Sequence, residues 1–316
     1  MRAAVLTEIN RPLQILDLEQ EPPRAGEVRV QVKAAGVCMS DWHIMNGDWP
    51  LPLPMVLGHE AAGIVVENGP GVDSIKPGDH IIFSFRPHCG RCRYCSSGQT
   101  VLCIGHNDTP RWRMHDGTAR VRLNGEPVNQ MARIGTFSEQ VVCPAEQVVK
   151  IREDLPHTHA AIIGCSVATG IGAVIRHARV PAGSSVLVIG CGGVGLNVVQ
   201  GARLAGANPI IACDLRDNKL GYAKTFGATH VDQCHLRGCG QSRAGIDGRP
   251  RRRHCLRRNR QRGNSVAGDR CCGTRRAGGT GGHPGVRHPR GDQPLSDRVR
   301  RKGDQRYLLR LGTAQY

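Results

Sequence analysis

The sequence contains no run of 18 or more apolar residues, which argues against a membrane-spanning helix. Its first residues, MRAAVLTEINRPL, lack the basic region, long apolar stretch and cleavage site of a secretory leader. A soluble, cytoplasmic protein is expected, with no membrane partner. Acidic residues are scarce in one place only. Residues 233–316 hold 20 Arg and one Lys against five Asp and no Glu, whereas residues 1–232 hold 22 basic and 21 acidic residues. The formal net charge of +17 therefore resides in the tail and gives no ground for reading the body as a nucleic-acid binder. Aromatic residues make up only 3% of the 316 residues, yet the length suffices for two ordinary domains.

What is present changes character along the chain. Up to about residue 155 the texture is β-rich: Glu27-Val28-Arg29-Val30-Gln31-Val32 alternates with period two, and Ile64–Val66 and His80–Phe83 are short strand-like runs punctuated by Gly and Pro. A small irregular barrel is expected, interrupted by a polar loop or insertion over 106–133. From 156 to about 233 the pattern becomes α/β. Ser184–Ile189 and Pro209–Asp214 read as buried strands, and 194–205 and 219–226 as helices. That order is a βαβ crossover in a parallel, doubly wound sheet.

Three groups of residues carry chemistry. Cys89, Cys92, Cys95 and Cys103 follow a C-x2-C-x2-C-x7-C spacing, close enough for four thiolates to surround one tetrahedral zinc and leave no place for water, as in a structural site. The segment offers no recognition helix, so a DNA-binding zinc ribbon is not favoured. Cys38, His59 and Cys165 are dispersed. Two sulfurs and one imidazole make three ligands with a fourth position open, the pattern of a catalytic zinc, although each residue alone is more often part of a core. Third, Gly190-Cys191-Gly192-Gly193-Val194-Gly195 forms a G-x-G-x-x-G where a strand gives way to a helix. Such glycines let the backbone approach a pyrophosphate at a helix N-terminus. Asp214, at the end of the next strand, is placed to accept ribose hydroxyls and to disfavour a 2′-phosphate, which predicts NAD over NADP.

With the GHEAAG box around His59, the GVC-x-SD-x-H segment around Cys38, the four-cysteine lobe and GCGGVG followed by D-x-x-x-x-K, positions 1 to about 232 resemble the zinc-dependent medium-chain alcohol dehydrogenases. The stretch from Asp116 to Phe137 is similar to the class I and class III enzymes, the latter oxidising thiol adducts of formaldehyde. The resemblance implies a GroES-like catalytic domain over 1–155 and a partial Rossmann NAD-binding domain over 156–233, with two zinc ions per chain. It implies that Cys38, His59 and Cys165 hold the catalytic ion, with Glu60 beside it and Asp41 behind His59. It implies a proton relay through Ser40 to His43, Phe85 in the substrate pocket, Thr169 and Val194 against the nicotinamide, and Lys219 beside the adenosine ribose. The expected activity is hydride transfer between a primary alcohol/aldehyde pair and NAD. The family forms homo-oligomers.

After about Val231 the resemblance stops. Residues 234–316 are rich in Arg, Gly and Pro and poor in apolar residues, a composition that favours a disordered tail. Two readings compete with an intact enzyme. One is nucleic-acid binding through the Arg-rich tail. The other is a frameshifted, inactive remnant. Read one base later, codons for Asp247–Arg262 permit T-G-G-R-G-A-D-I-A-F-D-A-I-G, and two later stretches, Thr274–Val286 and Lys302–Tyr316, permit further family-like phrases in the expected order. A frame slip between about Val231 and Asp247 is the preferred explanation of the tail. A chain lacking the later strands is expected to be unstable and nearly inactive.

Overall fold

The computed structural model describes residues 1–233 and the backbone of 306–309. The frame-slip region and most of the predicted tail lie outside the described residues.

The β-rich part forms two sheets. One has five antiparallel strands in the order Gln140–Pro144, Glu27–Gly36, Glu60–Asn68, His80–Phe83 and Val148–Lys150. The alternation seen in 27–32 here places Val28 and Val30 in a core with Ala61, Val65, Ile81 and Phe83. The other sheet has six short strands in the order Gln14–Asp17, Arg2–Leu6, Met55–Val56, Glu126–Gln130, Val121–Leu123 and Glu19–Gln20. Its Val121–Leu123 and Glu126–Gln130 pair as a hairpin inside the stretch expected to be a loop. The polar composition there has a structural reason. Arg120 is fully buried and held by Glu27 through two hydrogen bonds of 2.8 and 2.7 Å, and by Asp116 at 2.7 Å.

The α/β part is a four-stranded parallel sheet in the order His230–Gln233, Ile210–Asp214, Ser185–Ile189 and Arg306–Leu309. The helices Gly193–Leu204 and Asp217–Phe226 pack Val198, Val199, Ala202, Leu220 and Ala223 onto Val186, Val188 and Ala212. The strand Arg306–Leu309 lies in the stretch expected to be a disordered tail.

A 22-residue helix, His157–Ala178, links the two parts. It is the one helix among the described residues long and apolar enough, by length and composition, to cross a membrane, with a mean hydropathy of 1.6. Only 28% of its most apolar window is buried among the described residues, and it packs on the neighbouring helix through small residues. Gly170 lies against Val194 and Asn197, and Gly201 of the neighbouring helix against Ile171 and Val174, so the two helices approach at their smallest residues. The helix widens to i→i+5 bonding over Ile163–Val167 and Ala173–Ala178. Such wide turns often occur at functional sites, and Cys165 sits in the first of them.

Candidate functional site

Sheet register assembles the dispersed ligands. The antiparallel pairing sets Gly36 opposite Glu60, so Cys38, two residues beyond one strand, and His59, one residue before the other, leave the sheet at the same end. The helix His157–Ala178 is brought to that end by Gly164, where a Cβ would lie 2.0 Å from the carbonyl oxygen of Phe83. Cys38, His59, Glu60 and Cys165 consequently each place a ligand atom within 4.8 Å of the others. Gly36 is needed here too, because a Cβ there would lie 2.7 Å from a Glu60 carboxylate oxygen.

Asp41 organises this cluster from behind. It lies in the first turn of the helix Met39–Met45, reaches back to accept the backbone N–H of Cys38 at 2.8 Å, and accepts that of Gly58 at 3.0 Å. Its carboxylate faces His59 Nδ1 at 3.5 Å, and that nitrogen has no aligned hydrogen bond.

The donor set favours a cation. A hydrogen bond from Cys165 holds the Cys38 thiol down to about 3, and Cys165 is pushed up in return. Burial opposes charge on His59, but Asp41 and Cys38 outweigh it and raise its pKa to about 10. Burial, then the charge on Cys38, lifts Glu60 to about 7. Negative charge crowded into a buried space in this way is relieved by a bound metal ion. Phe85 meets the His59 ring edge-on at 5.5 Å, at the border of the cluster.

Ser40 and His43 lie three residues apart on the helix Met39–Met45. The Cys38 thiol reaches Ser40 Oγ at 3.6 Å. His43 is buried, stacks on Trp49 with ring centroids 5.1 Å apart, and pairs through Nδ1 with Asp48 at 2.8 Å. Asp48 is exposed and continues the line from His43 to solvent. Sequence reasoning did not single it out, although an acidic residue five positions after the histidine is a usable signal.

The second cluster is local. Sγ–Sγ separations of 3.5 Å for Cys92–Cys95 and 3.9 Å for Cys92–Cys103 match the edge of about 3.8 Å expected for four sulfurs around one tetrahedral zinc. Backbone N–H groups of Cys89, Cys92 and Gly105 donate to the sulfurs at 3.3–3.4 Å. The backbone donors of Ile104 and Cys95 help hold Cys92 down to about 6. Gly105 has no substitute, because a Cβ would lie 2.5 Å from Cys89 Sγ. The remaining described cysteines, Cys143, Cys191 and Cys213, are buried core residues as expected.

The glycine turn begins where strand Ser185–Ile189 ends. Gly190 has φ +95°, and a Cβ on Gly195 would lie 1.8 Å from the Gly190 carbonyl oxygen, while the space beside Gly192 is open. Asp214 accepts the N–H of Cys191 at 2.8 Å and that of Arg216 at 3.0 Å, which ties the acidic strand end to the turn. Thr169 is exposed, and Val194 and Lys219 are partly buried. A Cβ on Gly193 would stand 3.7 Å from Cβ of Ser166, the neighbour of Cys165. The turn thus passes close to the residue next to Cys165.

Residues 24–153 match the family model of the alcohol dehydrogenase GroES-like domain. An S-(hydroxymethyl)glutathione dehydrogenase from Paracoccus denitrificans is 48% identical over 232 residues, covering 72% of this chain and 62% of that protein. Over its first 232 or so residues the chain is similar to the zinc-dependent medium-chain alcohol dehydrogenases, and residues 24–153 carry their GroES-like domain. Among solved structures of this fold, an alcohol dehydrogenase zinc-binding domain protein from Burkholderia ambifaria is 34% identical with a TM-score of 0.67, covering 73% of this chain and 63% of that one. An acetophenone reductase from Geotrichum candidum, solved in complex with NAD, is 30% identical with a TM-score of 0.61 over 75% of this chain and 64% of that one. The chain spans less than two thirds of the length of these alcohol dehydrogenase relatives.

Proposed function

We propose that the protein is an NAD-dependent alcohol dehydrogenase that exchanges hydride between a primary alcohol/aldehyde pair and the cofactor. The observation that carries this reading is the closeness of the glycine turn at Gly193 to Ser166, the neighbour of Cys165 in the converged set Cys38, His59, Glu60 and Cys165. It brings a dinucleotide-type turn near a cation-type cluster.

Cys38, His59 and Cys165 hold the catalytic zinc, with Glu60 in reach, and Cys89, Cys92, Cys95 and Cys103 hold the structural one. Zinc bound at the first cluster supplies Lewis-acid polarisation of an alcohol oxygen, which lowers the cost of losing its proton near neutral pH. Ser40 takes up that proton and His43 passes it outward, with Asp48 fixing the imidazole through Nδ1. Asp41 orients His59. Phe85 lines the substrate side of the cluster, and Thr169 and Val194 border the nicotinamide. Gly190, Gly192, Gly193 and Gly195 admit the pyrophosphate to the N-terminus of helix Gly193–Leu204. Asp214 and Lys219 take the adenosine ribose. The domain limits that accompany this reading are a GroES-like domain over 1–155 and a partial nucleotide-binding domain over 156–233. The substrate is a small alcohol or aldehyde, and the protein works in the cytoplasm without nucleic-acid or membrane partners.

Reduction of NAD by the purified full chain tests the reading, with ethanol, benzyl alcohol and S-(hydroxymethyl)glutathione as substrates and His59→Ala as control. Turnover that vanishes in the control is the expected result. Bound zinc without turnover on any substrate would instead favour the inactive remnant. Resequencing the DNA across codons 225–250 then decides whether a frame slip is its cause.

A further inference from the structure

A third set of metal-type side chains lies outside both clusters and takes no part in the proposed activity. His106 follows the four-cysteine lobe, His115 lies further along the same polar stretch, and Glu146 sits in the turn Ala145–Gln147 that leads into the strand Val148–Lys150. Each places one ligand atom within 4.8 Å of the other two. Nε2 of His106 lies 2.7 Å, and Nε2 of His115 2.9 Å, from the same Glu146 oxygen, Oε1. The two imidazole rings stack with centroids 3.8 Å apart and planes 21° from parallel.

Hydrogen bonding accounts for only half of this arrangement. His115 Nε2 is aligned with the carboxylate, whereas His106 Nε2 is shielded from solvent and close to it but outside hydrogen-bond geometry. Three ligands about 2.1 Å from one ion stand about 3.0–3.4 Å apart, so the two edges that meet at Glu146 Oε1 need to open by about 0.1–0.7 Å.

We propose that His106, His115 and Glu146 form a third metal site, for a borderline divalent cation of the zinc class. Two imidazoles and one carboxylate suit zinc or copper(II) and offer little to calcium or magnesium, which prefer oxygen ligands. An adjoining cleft of about 430 Å³, lined in part by His115, Glu146 and Asp116, lets water reach a remaining coordination position. An ion here ties the polar stretch after Cys103 to the five-stranded sheet.

Zinc bound per chain is to be measured after dialysis for the full-length protein and for His115→Ala and Glu146→Gln, with cobalt(II)–thiolate absorbance confirming that both cysteine clusters remain intact. The wild type is expected to retain one more zinc than either variant. Copper(II) added to zinc-loaded protein depleted at this site should show electron-paramagnetic coupling to two imidazole nitrogens, reduced to one in His115→Ala. Should that variant fail to fold, Glu146→Gln, which preserves the side-chain shape, and the wild-type copper spectrum still decide. Equal zinc content in wild type and Glu146→Gln, or a wild-type copper spectrum without coupling to two nitrogens, overturns the proposal.

Discussion

The lobe of Cys89, Cys92, Cys95 and Cys103 and the cluster of Cys38, His59, Glu60 and Cys165 use similar ligand chemistry at opposite extremes of chain distance. The lobe closes within 15 residues, and its sulfurs are partly exposed and held by their own backbone N–H groups. The other cluster draws on two strand ends and a wide helical turn, with buried Asp41 against Cys38 and His59 and with Phe85 against His59. A local cluster needs only its loop, whereas a dispersed one exists only when the fold around it is correct. It follows that the first should govern stability and the second chemistry.

The sharpest way to break this division is Cys38→Ser. It should cut NAD-dependent alcohol oxidation about a thousandfold or more, the several kcal/mol expected of Lewis-acid stabilisation, while leaving the thermal midpoint nearly unchanged. A comparable loss of stability would show the two clusters to be equivalent. Cys92→Ser should do the reverse. It should lower the unfolding midpoint by about 10 °C and expose 89–105 to proteolysis, because structural zinc contributes folding free energy directly. Activity should fall only in step with the folded fraction.

Gly195→Ala sharpens the comparison on the cofactor side. The added carbon collides with the Gly190 carbonyl oxygen, so calorimetry should show at least about tenfold weaker NAD binding and a stability cost of about 1–3 kcal/mol. Neither zinc should be lost.

The smallest effect concerns the ion pairs beneath the barrel. Burial opposes charge on Asp116, but Arg120 and Thr118 outweigh it and hold its carboxyl well below the usual carboxylate range. A carboxylate held low in the folded state stabilises it above its unfolded pKa, and the contribution is lost as pH falls below about 4 into the strongly acid range. Asp116→Asn should therefore flatten the acid limb of the stability curve, its curve meeting the wild type at low pH. Asp116 is partly exposed, so the difference at neutral pH should stay within about 1 kcal/mol.

Legibility in the sequence followed the same division. The four cysteines were readable from spacing because a loop that short fixes its own geometry. The strands 185–189 and 210–214 were readable from continuous apolar runs, since a parallel sheet buries both faces. Cys38, His59 and Cys165 became a set only through the motifs around them, because their meeting depends on the register of Gly36 with Glu60. The hairpin of 121–130 was hidden by polar residues such as Arg120, whose burial depends on Glu27 in a distant strand. His106, His115 and Glu146 carry no spacing signature, and Glu146 is 31 residues from His115. Asp48 likewise gains meaning only once His43 is seen to be buried.

The spacing between Gly193 and Ser166 acts as a thickness gauge. A methyl group on Gly193 would rest in ordinary van der Waals contact with Ser166. A larger side chain directed across that gap would work as a shim, wedging the glycine turn away from Cys165 while every ligand stayed in place.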